Sequence, residues 1–295
     1  MTTTPPRSPE PYTGPGLRWR YFGHACVLVE AGGVSVLTDP LVAYGGDGSV
    51  PRYTLHDLPE TVDALLVTHA HQDHTMLETL LQLRHRVRLV VVPRSGGGSL
   101  QDPTRALLLR HVGFEHVVEV DTFDDVDLGP LVVRSMPFFG EHSDLDIRSK
   151  TTYVVEAAGR RLFFASDTCN VEPAAYRHVR AHIGDVDTLF LGMECSGAPL
   201  DWRYSSGVMA RARTALNEIV STRNDARALY MLSQAQTPVA AKIDTTDWGR
   251  GVWNFMTERS ILGDDSLLNS LHVTLGSKFS KASIASHLRG RNSLA

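Results

Sequence analysis

The sequence predicts an α/β protein in which layered β-sheets are covered on the outside by helices. Two observations support this class. β-rich runs at 27–30 and 34–38 flank Ala31-Gly32-Gly33, which predicts an early hairpin. Short apolar runs then alternate along the chain with segments of helical periodicity. This alternation is typical of sheets that pack against helices.

The remaining elements follow the hairpin in order. Further strands are expected at 64–67, 89–92, 116–120, 131–136, 151–157, 161–166, 187–193 and 227–232. Helices are expected at 75–83, 173–182 and 208–220. One more helix is predicted to begin at Asp102-Pro103 and to end before Gly113, because an aspartate N-cap followed by proline is a helix-start pattern.

Composition narrows the functional classes. The 295 residues are 42% hydrophobic, as in ordinary globular proteins. A net charge of -4 leaves no basic excess for a nucleic-acid partner. The apolar runs are far shorter than the ~20 residues of a membrane helix, so no membrane partner is expected. The 3 cysteines form no Cys-x-x-Cys pair, and no secretory signal is recognisable, which together predict a cytoplasmic location.

Three regions are predicted along the chain. Residues 1–16 carry five prolines among threonine and serine and are expected to form a flexible leader. Residues 17–260 are expected to form the catalytic domain. The pattern weakens in the C-terminal segment, 261–295, which has basic but no acidic residues from position 266 onward. A solvated tail is favoured there over a binding patch.

The strongest motif is His69-Ala70-His71-Gln72-Asp73-His74, directly after the predicted strand 64–67. Imidazoles at i and i+2 at a strand end lie on one side, so His69 and His71 can reach one ion. Asp73 and His74 then point toward a second ion nearby. Neutral imidazole and ionised carboxylate are the ligands that divalent metals select. The motif therefore predicts a site for two metal ions.

This motif resembles that of the metallo-β-lactamase superfamily, and the resemblance extends roughly over residues 17–235. Phe22-Gly23-His24-Ala25 and Thr38-Asp39-Pro40 also look like the opening of a member. The resemblance implies a four-layer αββα sandwich with metals at the edge of the sheets. It implies that Asp39 orients the metal-binding histidines, the alternative being a turn residue. For His24 two interpretations stay open: a similar supporting role at the metal site, or packing alone.

The resemblance also implies the remaining ligands. Asp167, after the apolar run 161–166, matches the carboxylate that bridges both ions. Glu141 stands where members have a third histidine, with His142 as the alternate ligand. Glu194 follows an apolar run, and a buried carboxylate there needs a cation, so it is expected to be a ligand. The alternative is that Glu194 is a carboxylate of the pocket and binds no metal. The predicted set is His69, His71 and Glu141 on one ion, Asp73, His74 and Glu194 on the other, and Asp167 between them.

Three segments resemble the di-iron oxygenase branch of the superfamily, the chloramphenicol-pathway β-hydroxylase type: 140–145, 165–170 and 191–200. This resemblance implies two iron ions that activate O2 with an external reductant. It implies a monooxygenase of antibiotic biosynthesis that hydroxylates a carrier-protein-tethered aminoacyl group. A small-molecule substrate and oxygenation at nitrogen stay open. Four carboxylates beside three imidazoles favour iron over zinc.

Two points remain open in the sequence. Trp202, Arg203 and Tyr204 depart from the branch and are either pocket residues or ordinary loop anchors. The alternative function is a zinc- or manganese-dependent hydrolase of an ester, lactone, thioester or phosphoester. In that enzyme Asp73 would orient the attacking hydroxide or protonate the leaving group.

Overall fold

The structure, a computed structural model, describes the greater part of the first 193 residues and two short segments beyond them. The described residues are 9–23, 25–41, 54–72, 74–95, 97, 102–138, 148–168, 173–193, 218–219 and 227–232.

Strands β1 to β6 form the first sheet in chain order. They are Arg18–Gly23, Cys26–Ala31, Val34–Thr38, Val62–Leu66, Val87–Pro93 and Val117–Val120. The strands β1, β2 and β3 are antiparallel neighbours, whereas β3, β4, β5 and β6 run parallel. The carboxyl ends of four parallel strands therefore meet at one edge of this sheet.

The second sheet holds the next six strands in the order β12-β11-β10-β9-β8-β7. They are β7 Asp125–Asp127, β8 Leu131–Met136, β9 Thr152–Ala157, β10 Arg160–Ser166, β11 Thr188–Met193 and β12 Arg227–Leu232. The pairs from β7 to β10 are antiparallel, and β10, β11 and β12 run parallel.

The two sheets pack face to face through a shared apolar layer. Val29 and Val36 of the first sheet and Val155 and Phe164 of the second are all buried in it. Residues that alternate with these point to the opposite faces of their strands, and Leu28 and Phe163 there are also buried. Strands buried on both faces require covering helices outside.

The helices supply those outer layers. Helices α1, Leu77–Leu83, and α2, Arg105–His111, bury Leu80 and Leu109 against the outer face of the first sheet. Helix α3, Pro173–Ile183, connects the parallel neighbours β10 and β11. The inner face of these strands is filled by the shared layer, so α3 crosses over the outer face. The predicted class, an α/β sandwich with outer helices, is confirmed.

One expectation about local structure is wrong. Asp102 does not cap α2, which begins at Arg105 after Thr104. Its carboxylate instead accepts hydrogen bonds from the backbone N–H groups of Arg148 and Ser149, at 3.0 and 2.9 Å. Residues 9–16 of the predicted leader are among the described residues, and the leader as a whole stays a prediction. There the backbone of Tyr12 bonds to Glu30 and Gly33.

The other differences from the predicted elements are in length, or are strands that the sequence did not predict. Strands β1 and β7 are not among the predicted elements. Helix α1 is two residues shorter at its start than the predicted 75–83. Of the predicted helix 208–220, only residues 218 and 219 are described, and both are helical. The domain boundary at 260 and the segment 261–295 lie outside the described residues and stay predictions.

Candidate metal centre

Strand ends from both sheets bring five of the predicted site residues together. Asp39 directly follows β3, and His69 and His71 follow β4, its parallel neighbour. Asp167 follows β10, which belongs to the second sheet. His74 lies between the β4 end and α1. Residues almost a hundred positions apart in the chain thus meet at one edge of the sandwich.

The imidazoles and the carboxylate approach closely there. His69 Nε2 lies 3.1 Å from His71 Nδ1. Asp167 Oδ2 lies 3.1 Å from His74 Nε2 and 3.8 Å from His69 Nε2. The ligand atoms of His69, His71 and Asp167 all fall within 4.8 Å of one another. His69 and His74 are completely buried, which keeps bulk water away from these nitrogens.

These spacings fit metal ligation. Two nitrogens each about 2.1 Å from one ion, at angles between octahedral and tetrahedral, are about 3.0–3.4 Å apart. The 3.1 Å between His69 Nε2 and His71 Nδ1 lies within that range. One oxygen of Asp167 faces imidazoles assigned to different ions, as expected for a bridging carboxylate. The donor set, imidazole and carboxylate, suits iron, zinc or manganese.

Asp39 orients the histidines through a network of hydrogen bonds. Its buried carboxylate accepts a hydrogen bond from His74 Nδ1 at 2.8 Å, which leaves His74 Nε2 facing Asp167. It also accepts from the backbone N–H and the hydroxyl of Thr68, at 2.8 and 2.6 Å. The Thr68 oxygen lies 2.9 Å from His69 Nδ1. Because the Thr68 proton goes to Asp39, the Nδ1–H of His69 donates to Thr68 and its Nε2 is the ligand atom.

The neighbouring carboxylates change the pKa of His74. Burial lowers the pKa of His74, but the carboxylates of Asp167 and Asp39 outweigh burial, and its pKa stands well above the usual value. The two carboxylates therefore draw positive charge into this position. A metal cation that replaces the proton on Nε2 satisfies the same two carboxylates.

Further residues outside the predicted set support the motif. The Tyr153 hydroxyl donates to the backbone carbonyl of Val67 at 2.9 Å, tying the second sheet to the residue before Thr68. The Arg105 guanidinium donates to the carbonyl of Ala70, between the first two histidines. Neither residue lies in a recognisable motif, so only the folded structure could reveal them.

Phe138 forms one wall beside the ligands. Its ring centroid lies 5.4 Å from the ring centroid of His69 and 5.4 Å from the Lys150 ammonium. Phe138 and Lys150 are both half-buried. An aromatic ring therefore lies beside His69, and a lysine ammonium lies near that ring.

The remaining predicted site residues fall outside the described part of the chain, and their roles stay predictions. They are His24, Asp73, Glu141, His142, Glu194, Trp202, Arg203 and Tyr204.

Fold and site together define the class of protein. The family model "Beta-lactamase superfamily domain" matches residues 35–223, and the chain belongs to this superfamily. It is similar to 4-amino-L-phenylalanyl-[CmlP-peptidyl-carrier-protein] 3-hydroxylase of Streptomyces venezuelae, with 47% identity over 186 residues. That match covers 62% of this chain and 35% of the hydroxylase.

A solved structure gives the same likeness. The crystal structure of CmlA, a diiron β-hydroxylase from Streptomyces venezuelae, matches with a TM-score of 0.63 and 37% identity. The match covers 77% of this chain and 46% of CmlA, so the chain spans less than half of that protein. A metal-dependent hydrolase of Opitutus terrae is 25% identical over 163 residues, covering 52% of this chain and 63% of the hydrolase. Among the described residues no helix is long and apolar enough to cross a membrane.

Proposed function

We propose that the protein is a non-haem di-iron monooxygenase that hydroxylates an amino-acid-derived group tethered to a carrier protein. The observation that carries this proposal is the 47% identity to the Streptomyces venezuelae hydroxylase. The resemblance supports a reaction in antibiotic biosynthesis, and we propose O2 and an external reductant as its co-substrates. Hydroxylation at carbon is favoured over oxygenation at nitrogen because the relative is a 3-hydroxylase.

The proposed ligand set assigns each side chain a task. His69 and His71 would hold one ion with Glu141, and Asp73 and His74 would hold the other with Glu194. Asp167 would join the two. When bound, the iron pair supplies the redox chemistry that activates O2. Anionic oxygen donors favour the oxidised metal, which is why the carboxylates at 141 and 194 are central to the proposal.

The described residues contribute alignment and exclusion of water. Asp39 holds the Nδ1 proton of His74, and through Thr68 it fixes the ring of His69. Both rings are buried, so their nitrogens keep one orientation toward Asp167. The half-buried Phe138 ring beside His69 offers an apolar surface on which an aromatic aminoacyl side chain can pack.

The test uses the full chain, reduced anaerobically with ferrous ion, and a carrier protein loaded with 4-amino-L-phenylalanine. On admission of O2, mass spectrometry should show an aminoacyl group that has gained one oxygen atom. The matched control is the same carrier with protein loaded with zinc, which should give no oxygenated product. An unchanged aminoacyl group under both conditions would contradict the proposed substrate.

The alternative is a zinc- or manganese-dependent hydrolase, and the Opitutus terrae relative favours it. The described half of the site suits either chemistry, since a pair of bound ions would be able to activate water for hydrolysis or, as iron, to activate O2. Under this alternative, the zinc-loaded protein would release the aminoacyl group from its thioester instead of oxygenating it. The same mass spectrum therefore distinguishes the two functions.

A further inference from the structure

The backbone at Ser166, immediately before Asp167, is unusual. Its φ is +46°, in the left-handed region where glycine is the ordinary residue. The register of β10 against β11 also shifts between Phe164 and Ser166. Such irregularities re-aim side chains and are common next to active sites. A serine in this backbone conformation is therefore expected to make a side-chain interaction that offsets the strain.

The Ser166 hydroxyl lies inside the network that supports the ligands. Its oxygen is 3.2 Å from Thr68 Oγ1, 3.4 Å from Asp39 Oδ2 and 3.4 Å from His74 Nδ1. The residue is 1% exposed. Asp39 and Thr68 follow β3 and β4 of the first sheet, whereas Ser166 is the last residue of β10 in the second. One buried hydroxyl therefore spans the two sheets at the site.

The protons in this network have a consistent arrangement. Thr68 Oγ1 and His74 Nδ1 both donate to Asp39 Oδ2, at 2.6 and 2.8 Å. The Ser166 proton can then go to Thr68 Oγ1 or to Asp39 Oδ2, and both acceptors already orient a metal-binding histidine. Moving Ser166 would move Asp167 relative to those histidines.

We propose that Ser166 is a positioning residue whose hydroxyl fixes the distance between Asp167 and the imidazoles of His69 and His74. This inference rests on the proposed metal centre. The hydroxyl acts at a distance from the ions, by holding the end of β10 against the ends of β3 and β4. Its loss lets Asp167 drift from the position at which it lies near both imidazoles.

The test compares Ser166→Ala with Ser166→Gly. Ferrous ion is titrated anaerobically into each protein against a chromophoric chelator, and unfolding of the metal-free proteins is followed by heating. Both substitutions remove the hydroxyl, and both should weaken iron binding by about 10- to 100-fold, as for other residues that orient metal ligands. Ser166→Gly should unfold at a higher temperature than Ser166→Ala, because glycine suits the positive φ.

The two substitutions separate the hydroxyl from the backbone. If Ser166 only satisfied backbone geometry, Ser166→Gly would bind iron as tightly as the wild type, and the inference would be overturned. Ser135→Ala is the control: Ser135 is equally buried, at 1% exposure, but its hydroxyl donates to the Asp121 carbonyl, so iron affinity should not change. A wild-type protein that bound no metal would overturn the metal centre itself. Wild-type binding with equal affinity in both Ser166 variants would overturn this inference alone.

Discussion

The substitution Asp39→Asn most directly disrupts the hydrogen bonds by which Asp39 orients the histidines. Asparagine keeps the shape of the side chain but loses the charge, and an NH2 group replaces one of the two accepting oxygens. It therefore cannot accept all three protons that Asp39 accepts, from His74 Nδ1, the Thr68 hydroxyl and the Thr68 backbone N–H. The His74 Nδ1 hydrogen bond to Asp39, 2.8 Å long and fully buried, is charge-assisted. Such a bond contributes about 1.5–3 kcal/mol. We therefore expect roughly 10- to 100-fold weaker metal binding.

The assay is an anaerobic competition titration with ferrous ion, with Asp63→Asn as the matched control. Asp63 Oδ2 accepts from the Ser35 backbone N–H at 2.8 Å and from its hydroxyl at 3.1 Å. This pair joins the same two strands, β3 and β4, at the end away from the ligands. Asp63→Asn should lower the free energy of unfolding without changing metal affinity. Equal affinity in Asp39→Asn and the wild type would refute the role assigned to Asp39.

Three further predictions test separate parts of the structure. Burial raises the pKa of Cys26 from 9.0 to about 12, so the unfolded chain loses this proton first. The free energy of unfolding should fall by roughly 3 kcal/mol as pH rises from 9 to 12. Cys26→Ala should flatten that dependence, and an equally steep profile would contradict it. Tyr153→Phe should cost about 1–3 kcal/mol in urea unfolding, because the carbonyl of Val67 loses its bond to the hydroxyl; unchanged stability would show that the bond contributes nothing. Glu141→His should abolish iron-dependent O2 uptake, measured with an oxygen electrode, and retained uptake would remove Glu141 from the proposed ligands.

Local pattern was sufficient for most of the fold. Strands such as β2, β4 and β10 are apolar runs bounded by turn residues, and both faces of each are buried as such runs require. The three-residue β7, Asp-Val-Asp, could not be predicted, because its pairing with β8 depends on backbone hydrogen bonds and its composition disfavours a strand. Asp102 was misread for a similar reason. Its partners lie 46 and 47 positions away, whereas an N-cap is a local interaction.

In the site, too, some residues could be predicted from local sequence and others could not. The spacing of His69, His71 and His74 is local, and the sequence alone indicated a shared metal site. Asp167 was indicated by resemblance, and the structure brings it to 3.1 Å from His74. The hydroxyls of Thr68 and Ser166 carry no pattern of their own. Their proximity, 98 positions apart in sequence, arises only when the two sheets pack.

We propose that this superfamily scaffold holds iron and uses it to activate O2. Elemental analysis of protein produced in iron-supplemented medium, combined with a near-ultraviolet and visible spectrum and O2 uptake, tests it most directly. We expect about two irons per chain, absorption typical of an oxo-bridged iron pair, and O2 uptake that depends on iron. Stoichiometric zinc, with no iron-dependent O2 uptake, would contradict the account and favour the hydrolase.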